Sequence, residues 1–269
     1  MNPKLMAIST SNNPYYNQAL EEYFLLQRNG PVLLIYRNSP SVIIGRCQNP
    51  WKECSLEEIK KKGIFLVRRL SGGGTVYNDL GNCNFSFFQS RQAFEPKENL
   101  KMIQDYITAY GVKTEINERN DLLLNGKKIS GSAYRHTKDR TMHHFSLLVE
   151  TEKRVIEEYL NPSLKEGRFK GVFSVISNVG RLIDEEAFPR TDDFINSIIG
   201  SWKGKNPHFY NEEDCRILPG VSERIKAFQE WAWLYGKTPE FSYCLSTEGD
   251  KDLEITVRNG RYYSVTVYL

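Results

Sequence analysis

Residues 68–74 read Arg-Arg-Leu-Ser-Gly-Gly-Gly. The consecutive glycines Gly72, Gly73 and Gly74 are costly in regular structure, because glycine gives up the most backbone freedom on folding. They follow the apolar run 64–67, which predicts a buried strand. A strand that ends in Arg68, Arg69, Ser71 and a glycine triplet can bring backbone N–H groups and guanidinium groups against an anion. That chemistry suits a nucleotide or an acyl phosphate. A plain Gly-rich turn is the alternative for the triplet alone.

A second cluster lies at 119–133. Asn125-Gly126 is a two-residue hairpin signal between two strand-like runs. Alternation along the second run sends Lys127 and Lys128 to opposite faces, so one can be solvated while the other points inward toward an anion. A pair of solvated turn lysines is the alternative. Asp121 could hold Mg²⁺, which takes one or two protein carboxylates alongside phosphate oxygens, or simply cap a turn. Ser130, Gly131 and Ser132 are small enough to let a ligand approach. His143 and His144 are adjacent, so on a strand they face opposite ways and do not easily bind one metal; packed, hydrogen-bonded imidazoles are the expectation. Cys83 lies near the glycine loop, but no nearby histidine in sequence would activate it as a nucleophile.

These clusters need scaffolding, and the composition allows it. The chain has 269 residues, of which 40% are hydrophobic. Its formal net charge of +3 makes no electrostatic case for nucleic acid. No run approaches the ~18 apolar residues of a membrane span. The five cysteines lack paired or zinc-type spacing, which fits a reducing compartment. The cytoplasm is the expected location, with the mitochondrial matrix as the alternative.

Asn13-Pro14 starts a helix that Gly30 ends. Strands are expected at 32–36, 41–44, 84–88, 121–124, 127–133 and 144–149. Helices are expected at 100–110, 151–160, 192–202 and 222–231, and from a Ser55/Glu58 capping box to Gly63. A final hairpin, 252–257 and 261–268, turns at Asn259-Gly260. Strands and helices interleave without regular βαβ alternation. The class is therefore α+β, with a mixed, largely antiparallel sheet flanked by helices. A main domain over 1–245 is expected, with 246–269 a hairpin stub whose alternation calls for one buried face.

Taken together, the motifs resemble lipoate–protein ligases. The carriers are Arg-Arg-Leu-Ser-Gly-Gly-Gly-Thr-Val-Tyr-Asn-Asp-Leu-Gly-Asn, Arg-Asn-Asp-Leu-Leu, Lys-Lys-Ile-Ser-Gly-Ser-Ala and His-His-Phe-Ser-Leu-Leu. Pro-Ser-Val-Ile-Ile-Gly-Arg-Cys-Gln-Asn-Pro-Trp and Trp-Ala-Trp-Leu-Tyr-Gly-Lys-Thr-Pro-Glu-Phe-Ser flank them in register. The resemblance implies a fold shared with biotin–protein ligases and class II aminoacyl-tRNA synthetase cores. It implies that lipoate and Mg·ATP form lipoyl-AMP. The acyl group then passes to a lysine on the lipoyl domain of an E2 subunit or on the glycine-cleavage H protein, with no nucleic acid or membrane partner. A transferase that accepts preformed lipoyl-AMP is the alternative.

Carried over residue by residue, ATP and lipoyl-AMP would meet Arg69, Ser71, Gly72, Gly73, Gly74, Thr75, Val76, Tyr77, Asn78, Asp79, Asn82, Lys128, Ser130 and Gly131. Lipoate would meet Tyr36, Val42, Ile44, Arg69, Lys128 and His144, with Asp121 on the metal and Lys128 as the catalytic cation. A lid is expected over 161–172. The chain departs from the family pattern where Asn78 replaces a frequent histidine and where Ile176 and Asn178 replace arginines. Bacterial ligases of the family carry a C-terminal accessory domain, of which only the first hairpin is matched.

Overall fold

The computed structural model describes residues 3–27, 30–162, 164, 166–204, 206–246 and 252–268. Its first half runs β1 (Leu5–Ser9), α1 (Pro14–Leu26), β2 (Val32–Tyr36), β3 (Ser41–Ile44), α2 (Pro50–Glu53), α3 (Leu56–Lys61), β4 (Phe65–Arg68) and β5 (Val76–Asn78). It continues through β6 (Asn82–Ser90), α4 (Pro96–Thr108), β7 (Glu115–Ile116), β8 (Leu122–Leu124), β9 (Lys127–His136) and β10 (Arg140–Leu148). The second half holds α5 (Lys153–Tyr159), β11 (Arg168–Phe169), α6 (Thr191–Ser201), β12 (His208–Tyr210), α7 (Val221–Gln229), α8 (Trp231–Leu234), β13 (Phe241–Ser246), β14 (Asp252–Arg258) and β15 (Arg261–Tyr268).

Eight strands form the main sheet, in the order β12-β1-β2-β6-β10-β9-β8-β7. Only the β12-β1 and β1-β2 pairings are parallel; the others are antiparallel. Helices cover both faces, so every residue of β2 is buried. Leu33 and Ile35 pack with Phe85, Phe87 and the α4 side chains Leu100 and Ile103 on one face. Val32, Leu34 and Tyr36 pack on the other with Tyr16, Leu20 and Phe24 of α1 and Phe228 of α7. Alternation thus feeds two cores from one strand. A smaller sheet, β4-β3-β5, leans on the first and carries the glycine loop.

Local signals act as expected in several places. Asn13 accepts the N–H groups of Tyr15 and Tyr16, and Pro14 fills the first turn of α1. Asn125 and Gly126 have φ of +51° and +74°, the pair of left-handed residues that a tight hairpin demands. Ser55 differs. It precedes α3 without a side-chain capping bond, and its N–H instead donates to the carbonyl of Tyr159. Strand β1 was not expected from sequence; its partners β2 and β12 are distant in the chain, so only tertiary pairing reveals it.

The C-terminal hairpin is part of a third sheet, β11-β13-β14-β15. A boundary between 245 and 246 therefore falls inside β13. Ile255 and Val257 are buried with Phe241, against Trp51, Leu164 and Phe169. Tyr263, Val265 and Val267 of β15 stay exposed, because those covering side chains gather on β13 and β14. Among the described residues, no helix is long and apolar enough to cross a membrane.

Candidate active site

A cavity of about 840 Å³ opens where the small sheet meets β9 and β10 of the large one. The glycine loop supplies Gly73, Gly74 and Thr75 to its wall, and β5 supplies Val76, Tyr77 and Asn78. Across from them stand Lys128, Ser130 and Gly131 of β9 and His144 of β10. Arg69 lies on the same cavity.

The loop's shape has a backbone cause. Gly73 sits at φ +85°. Its carbonyl oxygen packs on Gly45, where a Cβ would lie only 2.2 Å from it. The loop can therefore seat only on a glycine. Both arginines were expected to offer donors to an anion, and both instead grip carbonyls. Arg68 is fully buried. It donates to the carbonyls of Leu234 (2.9 Å) and of Gly45, Arg46 and Gln48, and to Thr238 Oγ1. Arg69 donates to Ser71 Oγ (3.0 Å) and to the carbonyls of Ile43, Gly72 (2.7 Å) and Gly74 (2.6 Å). A five-donor planar fork can hold several carbonyls at once. Burial pulls the Arg69 pKa down to about 10, with Glu21 and Tyr36 opposing. The group therefore stays charged at neutral pH and lends the loop a fixed positive charge.

Behind Arg69 lies a buried polar chain. Ser71 Oγ is 2.6 Å from His144 Nε2, and His144 Nδ1 is 2.8 Å from Glu21 Oε1. The same carboxylate accepts from Tyr36 Oη (2.9 Å), Ser86 Oγ (2.5 Å) and Gln18 Nε2 (2.9 Å). Burial opposes ionisation of Glu21, but His144 and the hydrogen bonds from Ser86 and Tyr36 outweigh it and hold the carboxyl below its usual value. Burial, and then the Glu21 charge, push the Tyr36 phenol well above its usual value.

The expected alternation at Lys127-Lys128 is realised: Lys127 is exposed and Lys128 lines the cavity. Lys128 Nζ lies 2.9 Å from Asp121 Oδ1. Asp121 Oδ2 accepts from Asn117 Nδ2 at 3.3 Å. An ionised carboxylate has about four lone-pair sites, so Asp121 retains capacity for a cation that brings its own phosphate oxygens. Among the described residues there is no cluster of three or more metal-ligating side chains. A metal here would thus be held largely by its substrate, with Asp121 as the protein ligand, which suits Mg²⁺.

The segment from Val172 to Val179 roofs the cavity. It is pinned at two ends. The Lys128 N–H donates to the Asn178 carbonyl (2.9 Å), and the Gly180 N–H donates to the Lys128 carbonyl (3.0 Å). Ser174 Oγ donates to Glu53 and accepts from the Thr75 N–H (2.8 Å) and from Gln48 Nε2 (3.1 Å). Burial raises the Glu53 carboxyl, against the hydrogen bonds from Ser174, Gln48 and Thr75. Of the segment expected as a lid, Asn161, Pro162 and Val172 reach the cavity; Ser163 and Lys165 lie outside the described residues. Ile176 is fully exposed.

Several candidates lie elsewhere. Val42 and Ile44 face away from the cavity into the small sheet's core, with Leu66 and Tyr77. Their neighbour Ile43 lines the cavity instead, a consequence of the two-residue strand period. Ser71 and Gly72 stand behind the lining and act through Arg69. Asp79 and Asn82 shape a turn: Asp79 N–H donates to Asn82 Oδ1 (2.8 Å), Gly81 N–H to Asp79 Oδ1 (2.8 Å), and Thr151 Oγ1 lies within hydrogen-bond distance of both side chains. Asn78 does reach the cavity, donating to Ser146 Oγ (3.1 Å) and accepting from Asn38 (3.1 Å). Cys83 is fully buried, and burial pushes its thiol far up, so it is no ready thiolate. Sequence reasoning missed Glu21, Gly45, Gln48, Glu53 and Ser174. Gly45 and Gln48 sit inside a motif already noted, but nothing local shows that they clasp a loop nearly thirty residues on.

Comparison with known proteins places this geometry. The family model for the lipoyl protein ligase A/B catalytic domain matches residues 13–203. A protein of Bdellovibrio bacteriovorus named lipoate-protein ligase A is 34% identical over 97% of this chain and 81% of its own length. The human mitochondrial lipoyl amidotransferase LIPT1 is 34% identical over 96% of this chain and 74% of its own. Among solved structures, Plasmodium falciparum LipL1 in complex with lipoate superposes with a TM-score of 0.76 at 27% identity, covering 99% of this chain and 84% of that one. A lipoate-protein ligase A bound with ATP superposes at 0.68 with 25% identity, covering 87% and 98%. The chain belongs to the lipoyl protein ligase A/B catalytic-domain family, and it is an enzyme of the lipoate–protein ligase kind.

Proposed function

We propose that this cavity activates lipoate with ATP and passes the lipoyl group to a lysine of a lipoyl domain. The observation that carries the reading is one cavity shared by the Lys128 ammonium, the Arg69 charge and the glycine loop. A lipoate carboxylate oxygen attacks the α-phosphorus of ATP and pyrophosphate leaves. The two anions must be held together, and Lys128 neutralises charge between them while the loop's fixed dipoles receive the phosphate. Asp121 would hold Mg²⁺ brought in with ATP, and the ion would supply further charge neutralisation. The acceptor amine then attacks the acyl carbon, loses a proton and expels AMP. The roof over the anhydride keeps water out. The acceptors are E2 lipoyl domains and the glycine-cleavage H protein, met in the cytoplasm or the mitochondrial matrix.

A second reading keeps only the transfer from preformed lipoyl-AMP. It is favoured by Ile176 and Asn178, which put no charge on the roof where the family usually has arginines, and by the name of the human relative. The test is the mass of a purified apo lipoyl domain after incubation with ATP plus lipoate or with lipoyl-AMP alone. A lipoyl shift in both arms supports the ligase. A shift with lipoyl-AMP alone supports the transferase, and no shift in either refutes both.

A further inference from the structure

His143 is fully buried and lies one residue from the cavity-lining His144 on the other face of β10. It begins no chemistry of its own, yet it stands in a directed chain of hydrogen bonds that ends beside Lys128. Ser132 Oγ lies 2.6 Å from the Asn120 carbonyl. A carbonyl only accepts, so the Ser132 hydroxyl must donate there. His143 Nε2, 2.9 Å from Ser132 Oγ, must then carry the proton and donate. Nδ1 is left as an acceptor, and it faces Asn99 Nδ2 at 3.2 Å. Asn99 Oδ1 accepts in turn from Gln89 Nε2 at 2.9 Å. Gln89, Asn99 and His143 are all buried.

The chain's end is a strained point. Asn120 has φ +58°. Its neighbour Asp121 holds Lys128 Nζ at 2.9 Å. Asn117 ties the other side of the same turn, its Oδ1 accepting from the Arg119 and Asp121 N–H groups, both at 2.9 Å. The His143 ring is itself held by stacking on Tyr134, with centroids 4.8 Å apart, and Tyr134 Oη accepts from Asn120 Nδ2 (2.9 Å).

We propose that His143 is a positioning residue: through Ser132 and the Asn120 carbonyl it fixes the left-handed turn that presents Asp121 to Lys128. This inference rests on the role given to Lys128. The test measures kcat and KM for whichever half-reaction the wild-type protein performs, adenylation by lipoate-dependent ATP–pyrophosphate exchange or transfer from lipoyl-AMP. His143→Phe keeps the ring and removes both nitrogens. It is expected to lower kcat about tenfold to a hundredfold with the KM for the acyl substrate unchanged, the scale of a misplaced reacting group. His143→Gln restores a donor at the Nε2 position and is expected to recover most of the loss. Ser132→Ala is expected to give the same loss, and the double variant no more than either single one.

Unchanged kcat in His143→Phe, or losses that add in the double variant, overturn the proposal. Should His143→Phe fail to fold, Ser132→Ala decides alone by its kcat. Lys128→Ala that keeps full activity would instead overturn the role of Lys128, and this inference with it.

Discussion

At the scale of single residues, the site separates charge that faces the cavity from charge that shapes a loop. Lys128 lies on the cavity with one carboxylate partner. We expect Lys128→Ala to lower lipoyl-AMP formation by at least about a hundredfold, as loss of a main charge-stabilising group does, with Tm nearly unchanged. Pyrophosphate exchange and thermal melting check this. Arg69 differs because its donors hold Ser71 and three carbonyls. Arg69→Lys keeps the charge but loses the fork. It should therefore fail almost as badly as Arg69→Ala, each weakening ATP binding by about tenfold or more, since charge-assisted hydrogen bonds are among the strong ones. Calorimetric titration of ATP checks it, and wild-type affinity in Arg69→Lys would show that charge alone suffices. Cys83→Ala should keep full activity, because its buried, protonated thiol faces the core.

At the scale of elements, one contact seats the glycine loop on the end of β3. A Cβ on Gly45 would collide with the Gly73 carbonyl, which is backbone and cannot swing aside. Gly45→Ala should displace the loop at a cost of about 1–3 kcal/mol. The expected readout is a raised KM for ATP with circular dichroism like the wild type, measured by steady-state kinetics. Strand β3 also shows what a two-residue period decides. Val42 and Ile44 were expected to line the acyl slot, yet they pack into the small sheet's core and Ile43 lines the cavity. The strand was legible from its apolar residues, but all four residues of the strand, Ser41 included, are buried. Hydropathy cannot say which buried face looks into a cavity and which into a core.

At the scale of the whole molecule, the two cores on either side of the eight-stranded sheet make its middle strands the most costly to disturb. Phe85→Ala should destabilise by about 3–5 kcal/mol, read as a shift of the denaturation midpoint in urea. Burial, and then the neighbouring His144, lower the pKa of His143 from 6.5 to about 3. The sign follows from proton counting. Between those values the unfolded chain binds a proton that the folded chain refuses, so stability is complete above 6.5 and falls as the pH drops toward 3. His143→Phe should flatten this acid limb when unfolding free energy is followed against pH; an unaltered slope would assign the acid sensitivity to other groups.

The sequence by itself determined the elements and the chemistry they could carry. Asn13-Pro14 starts a helix, Asn125-Gly126 turns a hairpin, and the register of motifs from 68 to 149 identifies the family, because caps, turns and periodicity are local properties of neighbouring residues. Only the tertiary structure decided which side chains face the cavity. The order of the eight strands, the seat of Gly73 on Gly45, the clasp of Ser174 on Glu53 and the carbonyls that occupy both arginines all join residues distant in the chain. Such contacts are fixed by shape and by the satisfaction of buried polar groups, and no window of sequence contains both partners.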